Sequence, residues 1–206
     1  MPFVTFEGGE GSGKSTQLAM AARRLRDLGH DVLETKEPGG TAIGQKIRAI
    51  LMDVAHTHLD PISEWLLYEA DRRQHVQEQL RREVESGRFV LCDRYSDTTE
   101  AYQQVGRGVE GDLVRRVDAL ARGGLMPDLT LIYDVEPDVG LARAKRRDRH
   151  VGRFEGAEID FHRRIREAYH AIARREPLRV GLIAAAAGPE EVFVETWRRI
   201  RERFEL

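Results

Sequence analysis

The chain has 206 residues, the size of one ordinary domain with at most a small insert. Its 33 basic and 35 acidic residues give a net charge of −2, which argues against a dedicated nucleic-acid binder and leaves room only for a local basic site. Hydrophobic residues make up 41% and charged ones 33%, so disorder is excluded, and the longest apolar runs are far too short to span a bilayer.

The first residues, MPFVTFEGGEG, lack a basic leader and an apolar stretch of the export type, so a cytoplasmic location is expected. A short buried strand at 4–6 runs into glycines. Helical spacing follows over 14–28 and stops at Gly29, a natural left-handed terminator. Residues 32–36 read as a second strand, closed by Pro38-Gly39-Gly40, and 41–54 as a helix. Asp60-Pro61 has the form of an N-cap and first helical residue for a long helix that ends at Gly87. The run Phe89-Val90-Leu91-Cys92 is continuously apolar, as in a parallel strand covered on both faces. Cys92 is the sole cysteine, so no internal disulfide forms, as suits a reducing compartment. Two helical stretches reach Gly123-Gly124. Strands at 129–135 and 179–184 and an amphipathic helix at 189–204 complete the chain. No repeat or linker divides it. The alternation predicts a three-layer α/β domain over residues 1–206: a five-stranded parallel sheet with helices on both faces.

Gly8-Gly9-Glu10-Gly11-Ser12-Gly13-Lys14-Ser15, followed by Thr16, satisfies the G-x-x-x-x-G-K-[ST] pattern between a predicted strand and a predicted helix. Glycines let successive backbone N–H groups converge on one anion, and the helix N-terminus adds about half a positive charge. Lys14 can reach the β- and γ-phosphates of a nucleoside triphosphate, and the Ser15 hydroxyl can ligate Mg²⁺. This establishes triphosphate binding as the expectation and leaves its use open. Glu10 is repelled by that anion, so it is either an acceptor for a sugar hydroxyl on a second substrate or a solvated surface charge. Asp93-Arg94-Tyr95 closes the third strand, where parallel sheets bind ligands. Asp93 can hold a water on Mg²⁺ or position an acceptor. Arg94 supplies a fork for phosphate, and the plain alternative is a structural Asp–Arg pair.

FEGGEGSGKST (6–16), EPGGT (37–41), CDRY (92–95) and TTEAYQ (98–103) together resemble bacterial thymidylate kinase, and PDLTLIYDV (127–135) and RFEGAEIDFHRRIREAY (153–169) extend the resemblance over essentially the whole chain. The resemblance implies a P-loop kinase fold with a short lid at about 143–156 and transfer of the γ-phosphoryl of ATP to dTMP with Mg²⁺. It implies that Tyr68 stacks on thymine, a contact worth about 1–3 kcal/mol. Arg72, one turn later, would donate to the base carbonyl. Thr98 and Thr99 would lie near base and phosphate, with Gln103 at the thymine edge. Tyr102 would lie under the sugar, Arg48 and Arg94 on the dTMP phosphate, and Glu10 at the 3′-hydroxyl. Read alone, Tyr68 is a core aromatic and Arg48 and Arg72 are solvated helix charges. A homodimer packed through helices is also implied.

The segment LARAKRRDRHVGR (141–153) is strongly basic. Phosphoryl transfer depends on positioning and charge neutralisation, which arginines on such a segment can supply; a phosphate loop without arginine resembles the family members whose catalytic arginine comes from the lid, and that resemblance implies Arg153 first, then Arg149 and Arg147. Gly152 departs from the Asp usual before Arg153, and Lys36 from the arginine usual before EPGGT. The competing readings are a kinase for another nucleoside monophosphate or for a deoxynucleoside, which needs a carboxylate base such as Glu10, Glu37 or Asp93, and a nucleotide-dependent switch.

Overall fold

The computed structural model describes residues 2–147 and 158–206. The sheet strands are β1 (Phe3–Gly8), β2 (Val32–Lys36), β3 (Phe89–Asp93), β4 (Leu129–Asp134) and β5 (Val180–Ala184). They are all parallel, in the order β2-β3-β1-β4-β5. The chain leaves β1 for the β2 edge and later crosses to β4 on the other side. A crevice therefore opens at the carboxyl ends of β1, β3 and β4, where Gly8, Asp93 and Asp134 stand.

The strands alternate between two buried faces. Val4, Phe6, Leu91, Leu131 and Tyr133 pack with Leu18, Ala21, Ala22 and Leu25 of α1 (Lys14–Asp27) and with Val192 and Ile200 of α9 (Pro189–Phe204). Phe3, Val90, Cys92 and Ile132 face the opposite way. There they meet α3 (Pro61–His75) with its continuation α4 (Arg81–Glu85), α5 (Ser96–Thr99) and α8 (Ile159–Arg175). On that same face β1 carries Thr5 and Glu7, both wholly buried.

Local signals explain most boundaries. Asp60 accepts from the backbone N–H groups of Ile62 and Ser63 at 3.0 Å each, and Pro61 opens α3. Thr41 caps α2 (Ala42–Met52) by accepting from Gly44 N at 2.9 Å. The long helix predicted up to Gly87 is not uniform, because Val76–Leu80 forms a π-helical turn between α3 and α4. A second π segment, Glu100–Gly106, follows α5 and carries Tyr102 and Gln103. Then come α6 (Gly111–Arg122) and α7 (Pro137–Arg147). Residues 143–147, counted from sequence with the lid, extend α7.

Candidate active site

The loop after β1 wraps Lys14. Its Nζ donates to the carbonyl oxygens of Gly8 and Gly9 at 3.1 and 2.7 Å and lies 3.3 Å from Ser12 Oγ. Burial pulls the Lys14 ammonium down to about 8, and the Arg94 charge pushes the same way against Glu10, Asp93 and Glu7. The loop is pressed against α7. Gly11 has φ +64°, and a Cβ there would fall on the carbonyl oxygen of Gly140. A side chain at Gly140 would in turn strike the carbonyl of Glu10. Beside the loop lies a cavity of about 510 Å³, lined by Gly11, Gly13, Thr16, Arg143, Ala186 and Gly188. Arg143 anchors its far wall by donating to the carbonyls of Ala185 and Ala186 at 2.7 and 2.6 Å.

Ser15 donates to Asp93 Oδ2 at 2.6 Å, joining the first residue after the cradle lysine to the end of β3. A hydroxyl and a carboxylate are hard oxygen ligands, and Mg²⁺ takes one or two such protein groups with phosphates and waters completing its shell. The donor set therefore fits Mg²⁺. Among the described residues there is no cluster of three or more His, Cys, Asp or Glu side chains that would compete for an ion.

Arg94 is the hub of the crevice. Its φ of +72° places a non-glycine residue in the left-handed region, held by its own N–H donating to Phe6 O at 3.0 Å. Nη2 donates to Glu10 Oε1 at 3.0 Å and to the Tyr102 hydroxyl at 3.3 Å. Nη1 faces the hydroxyls of Thr98 at 3.3 Å and Tyr169 at 3.5 Å. The guanidinium also lies 4.9 Å from the centre of the Tyr102 ring. Tyr102 donates its proton to Glu10 Oε1 at 3.1 Å. Burial alone would raise the Glu10 carboxyl, but Arg94, then Lys14 and the Tyr102 hydroxyl, hold it below the usual carboxylate range. Glu10 is thus an ionised partner of Arg94 rather than a solvated surface charge.

Arg72 heads a second cluster. It is 2% exposed, so the solvated reading of its charge is corrected. Its Nε donates to Glu37 Oε2 at 3.0 Å, and Nη1 contacts Glu69 Oε1, Thr99 Oγ1 and Asp118 Oδ1, each at 3.0 Å. Three carboxylates converge because a buried guanidinium is tolerated only when fully paired. The EPGGT turn is clamped beside it: Glu37 Oε1 lies 3.0 Å from His75 Nδ1, Gly39 N donates to Asp71 Oδ1 at 3.0 Å, and Arg48 Nη1 donates to Pro38 O at 3.1 Å. Burial, reinforced by Glu37, raises the Asp71 carboxyl to about 6.

Tyr68 is buried with Leu51, Tyr102 and Phe161. Gln103, 1% exposed, turns Nε2 towards Glu64 Oε1 at 3.4 Å and leaves Oε1 buried without a hydrogen-bond partner among the described residues. The fold therefore gathers Glu10, Arg94, Thr98 and Tyr102 at one point and Arg72 with Thr99 at another, with Arg48 on the turn that holds Arg72. Arg147 ends α7; Arg149 and Arg153 lie outside the described residues. Sequence reasoning passed over Glu7, Asp71, His75 and Tyr169. Only Glu7 carried a signal, as a charged residue inside an apolar strand.

The thymidylate kinase family profile matches residues 6–195. A thymidylate kinase of Deinococcus radiodurans is 45% identical over 201 residues, spanning 98% of this chain and 97% of that protein. Another, of Solidesulfovibrio magneticus, is 44% identical over 95% of this chain and 96% of that one. Among solved structures, thymidylate kinase from Ehrlichia chaffeensis superposes with a TM-score of 0.79 at 30% identity, covering 97% of this chain and 98% of that one.

Proposed function

The chain belongs to the thymidylate kinase family and phosphorylates dTMP; we propose that it does so by direct in-line transfer from MgATP, with both nucleotides held in the one crevice around Arg94. The observation that carries this reading is the contact of Glu10, inside the triphosphate loop, with Arg94 and Tyr102. It makes the donor cradle and the acceptor wall one connected unit.

In this assignment the backbone of residues 8–13 and Lys14 cradle the triphosphate, and the nucleoside of ATP occupies the cavity beside Arg143. Ser15 and Asp93 would hold Mg²⁺, which supplies charge neutralisation on the phosphates when bound. On the acceptor side Arg94 and Arg48 bind the dTMP phosphate and Tyr68 stacks on the base. Arg72 donates to a base carbonyl, Thr98 and Thr99 line the wall beside base and phosphate, and the unpartnered Oε1 of Gln103 accepts from the thymine N–H. Tyr102 closes the sugar side, with Glu10 at the 3′-hydroxyl. The acceptor phosphate has a second pKa of about 6, so it arrives ionised and needs no strong general base. The remaining charge on the transferring group is assigned to Arg153, Arg149 and Arg147, read from their place in the basic segment. Among the described residues no helix is long and apolar enough to cross a membrane.

A homodimer through α2 and α3 is part of the same proposal. These helices pack together and leave Ile43, Ile50, Ile62 and Leu66 between 43% and 50% exposed. A second copy would cover that face.

A coupled assay over dTMP, thymidine and dGMP tests the reading. Fast ADP release with dTMP, largely lost in Lys14→Ala, is expected. Preference for thymidine, or slow hydrolysis indifferent to any acceptor, would overturn it.

A further inference from the structure

Glu7 has no role in the reaction as set out so far, yet it is wholly buried in the middle of the sheet. Such a carboxylate is costly unless satisfied: burial, reinforced by Asp97, raises the Glu7 carboxyl to about 7 against Thr98, Arg94 and Tyr95, and above that pH three donors converge on its ionised form. The backbone N–H of Tyr95 donates to Oε1 at 2.7 Å. The hydroxyls of Thr98 and Tyr169 donate to Oε2, the second at 3.1 Å. The same two hydroxyl oxygens face Arg94 Nη1. A guanidinium can only donate. An oxygen that accepts from it must aim its single proton elsewhere; both hydroxyls reach Glu7 Oε2, and they also lie 3.0 Å from each other, so Glu7 receives at least one of the two protons and can receive both. Glu7 also grips the peptide that follows Arg94, whose backbone is in the left-handed region.

Resting on the proposed dTMP kinase reading, we propose that Glu7 is a positioning residue for the acceptor phosphate. By accepting from Tyr95 N–H, Thr98 and Tyr169 it turns two lone pairs towards Arg94 and fixes the plane in which that guanidinium meets the phosphate. Glu10 and Tyr102 hold the opposite edge of the fork, so the two carboxylates set its orientation from both sides.

An amide cannot replace this carboxylate. If the Oε1 of Gln faces Tyr95 N–H, its NH₂ meets the two hydroxyls, which must then accept; one can pass its proton to the other, and the remaining proton turns towards Arg94. If the amide is reversed, its NH₂ opposes the Tyr95 N–H. One donor pair is mismatched either way.

The test is steady-state kinetics of Glu7→Gln with each substrate varied in turn. The KM for dTMP is expected to rise about tenfold or more, while the KM for ATP stays within threefold. In a Thr98→Val/Tyr169→Phe background the hydroxyl relay is absent, and the added effect of Glu7→Gln on the KM for dTMP is expected to fall below threefold. The proposal is overturned if Glu7→Gln leaves the KM for dTMP within threefold, raises both KM values alike, or keeps its full effect in that background. Should Glu7→Gln not fold, Tyr169→Phe carries the test, since it leaves the carboxylate in place and cuts one arm. A selective rise in the KM for dTMP supports the proposal, and unchanged kinetics overturns it. The wild-type assay with dTMP stands apart from all of these: its failure would refute the kinase reading itself, whereas an inert Glu7→Gln would refute only this assignment.

Discussion

Replacing Arg94 separates charge from geometry in the crevice. Lysine keeps a positive charge but has no planar fork, so it cannot bridge Glu10 and Tyr102 on one edge and Thr98 and Tyr169 on the other. The loss is that of a charge-assisted bidentate contact to phosphate, about 1.5–3 kcal/mol. At about 1.4 kcal/mol per tenfold, this is a fall of roughly 10- to 150-fold in kcat/KM for dTMP. Alanine goes further. The Arg94 and Glu10 side chains are only 16% and 19% exposed, so truncation leaves a mostly buried carboxylate unpaired beside an incoming phosphate. Breaking such a pair costs about 3–5 kcal/mol, roughly 150-fold to several thousand-fold. Coupled assays with each nucleotide varied in turn, together with thermal unfolding of both variants, give the readout. The defect should fall mainly on dTMP. A lysine variant within threefold of wild type, or an alanine variant with a defect confined to ATP, would refute the idea that the guanidinium plane is what the fold is arranged to hold.

Other expectations follow from the loop and the surface. Burial leaves Lys14 near 8 in the free protein, and a bound triphosphate favours its ammonium, so MgATP should draw in a proton above about pH 8 and none near pH 6.5. Affinity then declines as pH rises through that range. Calorimetry in buffers of differing ionisation enthalpy measures the uptake, and its persistence in Lys14→Met would contradict the assignment. Gly11→Ala should lower kcat at least 100-fold and reduce the melting temperature, because its Cβ falls on Gly140 and its φ is left-handed; near-normal turnover would show that the loop yields to the side chain. Leu66→Asp should convert a dimer to monomers in sedimentation, and an unchanged sedimentation coefficient would place the interface elsewhere.

The phosphate loop was legible because its chemistry is local. Glycines, lysine and hydroxyl occur in order between a strand and a helix, and each has one role there. β2 and α9 were equally plain, the first from its flanking turns and the second from Pro189 and its amphipathic spacing. The acceptor wall proposed here rests on resemblance alone, since Arg72 meets partners 35 and 46 residues away in Glu37 and Asp118. No window around LLYEADR reveals that the Arg72 charge is buried. The π segments at 76–80 and 100–106 have no compositional mark, since each reads as ordinary helix. Glu7 shows the opposite case, a local anomaly whose meaning lay in residues 91 and 162 positions away.

The most direct test of the shared crevice is a crystal structure with dTMP and a non-hydrolysable ATP analogue bound together. The dTMP phosphate should meet Arg94 with one oxygen in line with the terminal phosphorus on the 8–15 loop, and thymine should lie against Tyr68 with Gln103 Oε1 at its edge. Thymine bound elsewhere, or an acceptor pocket filled by the chain's own side chains, would contradict it.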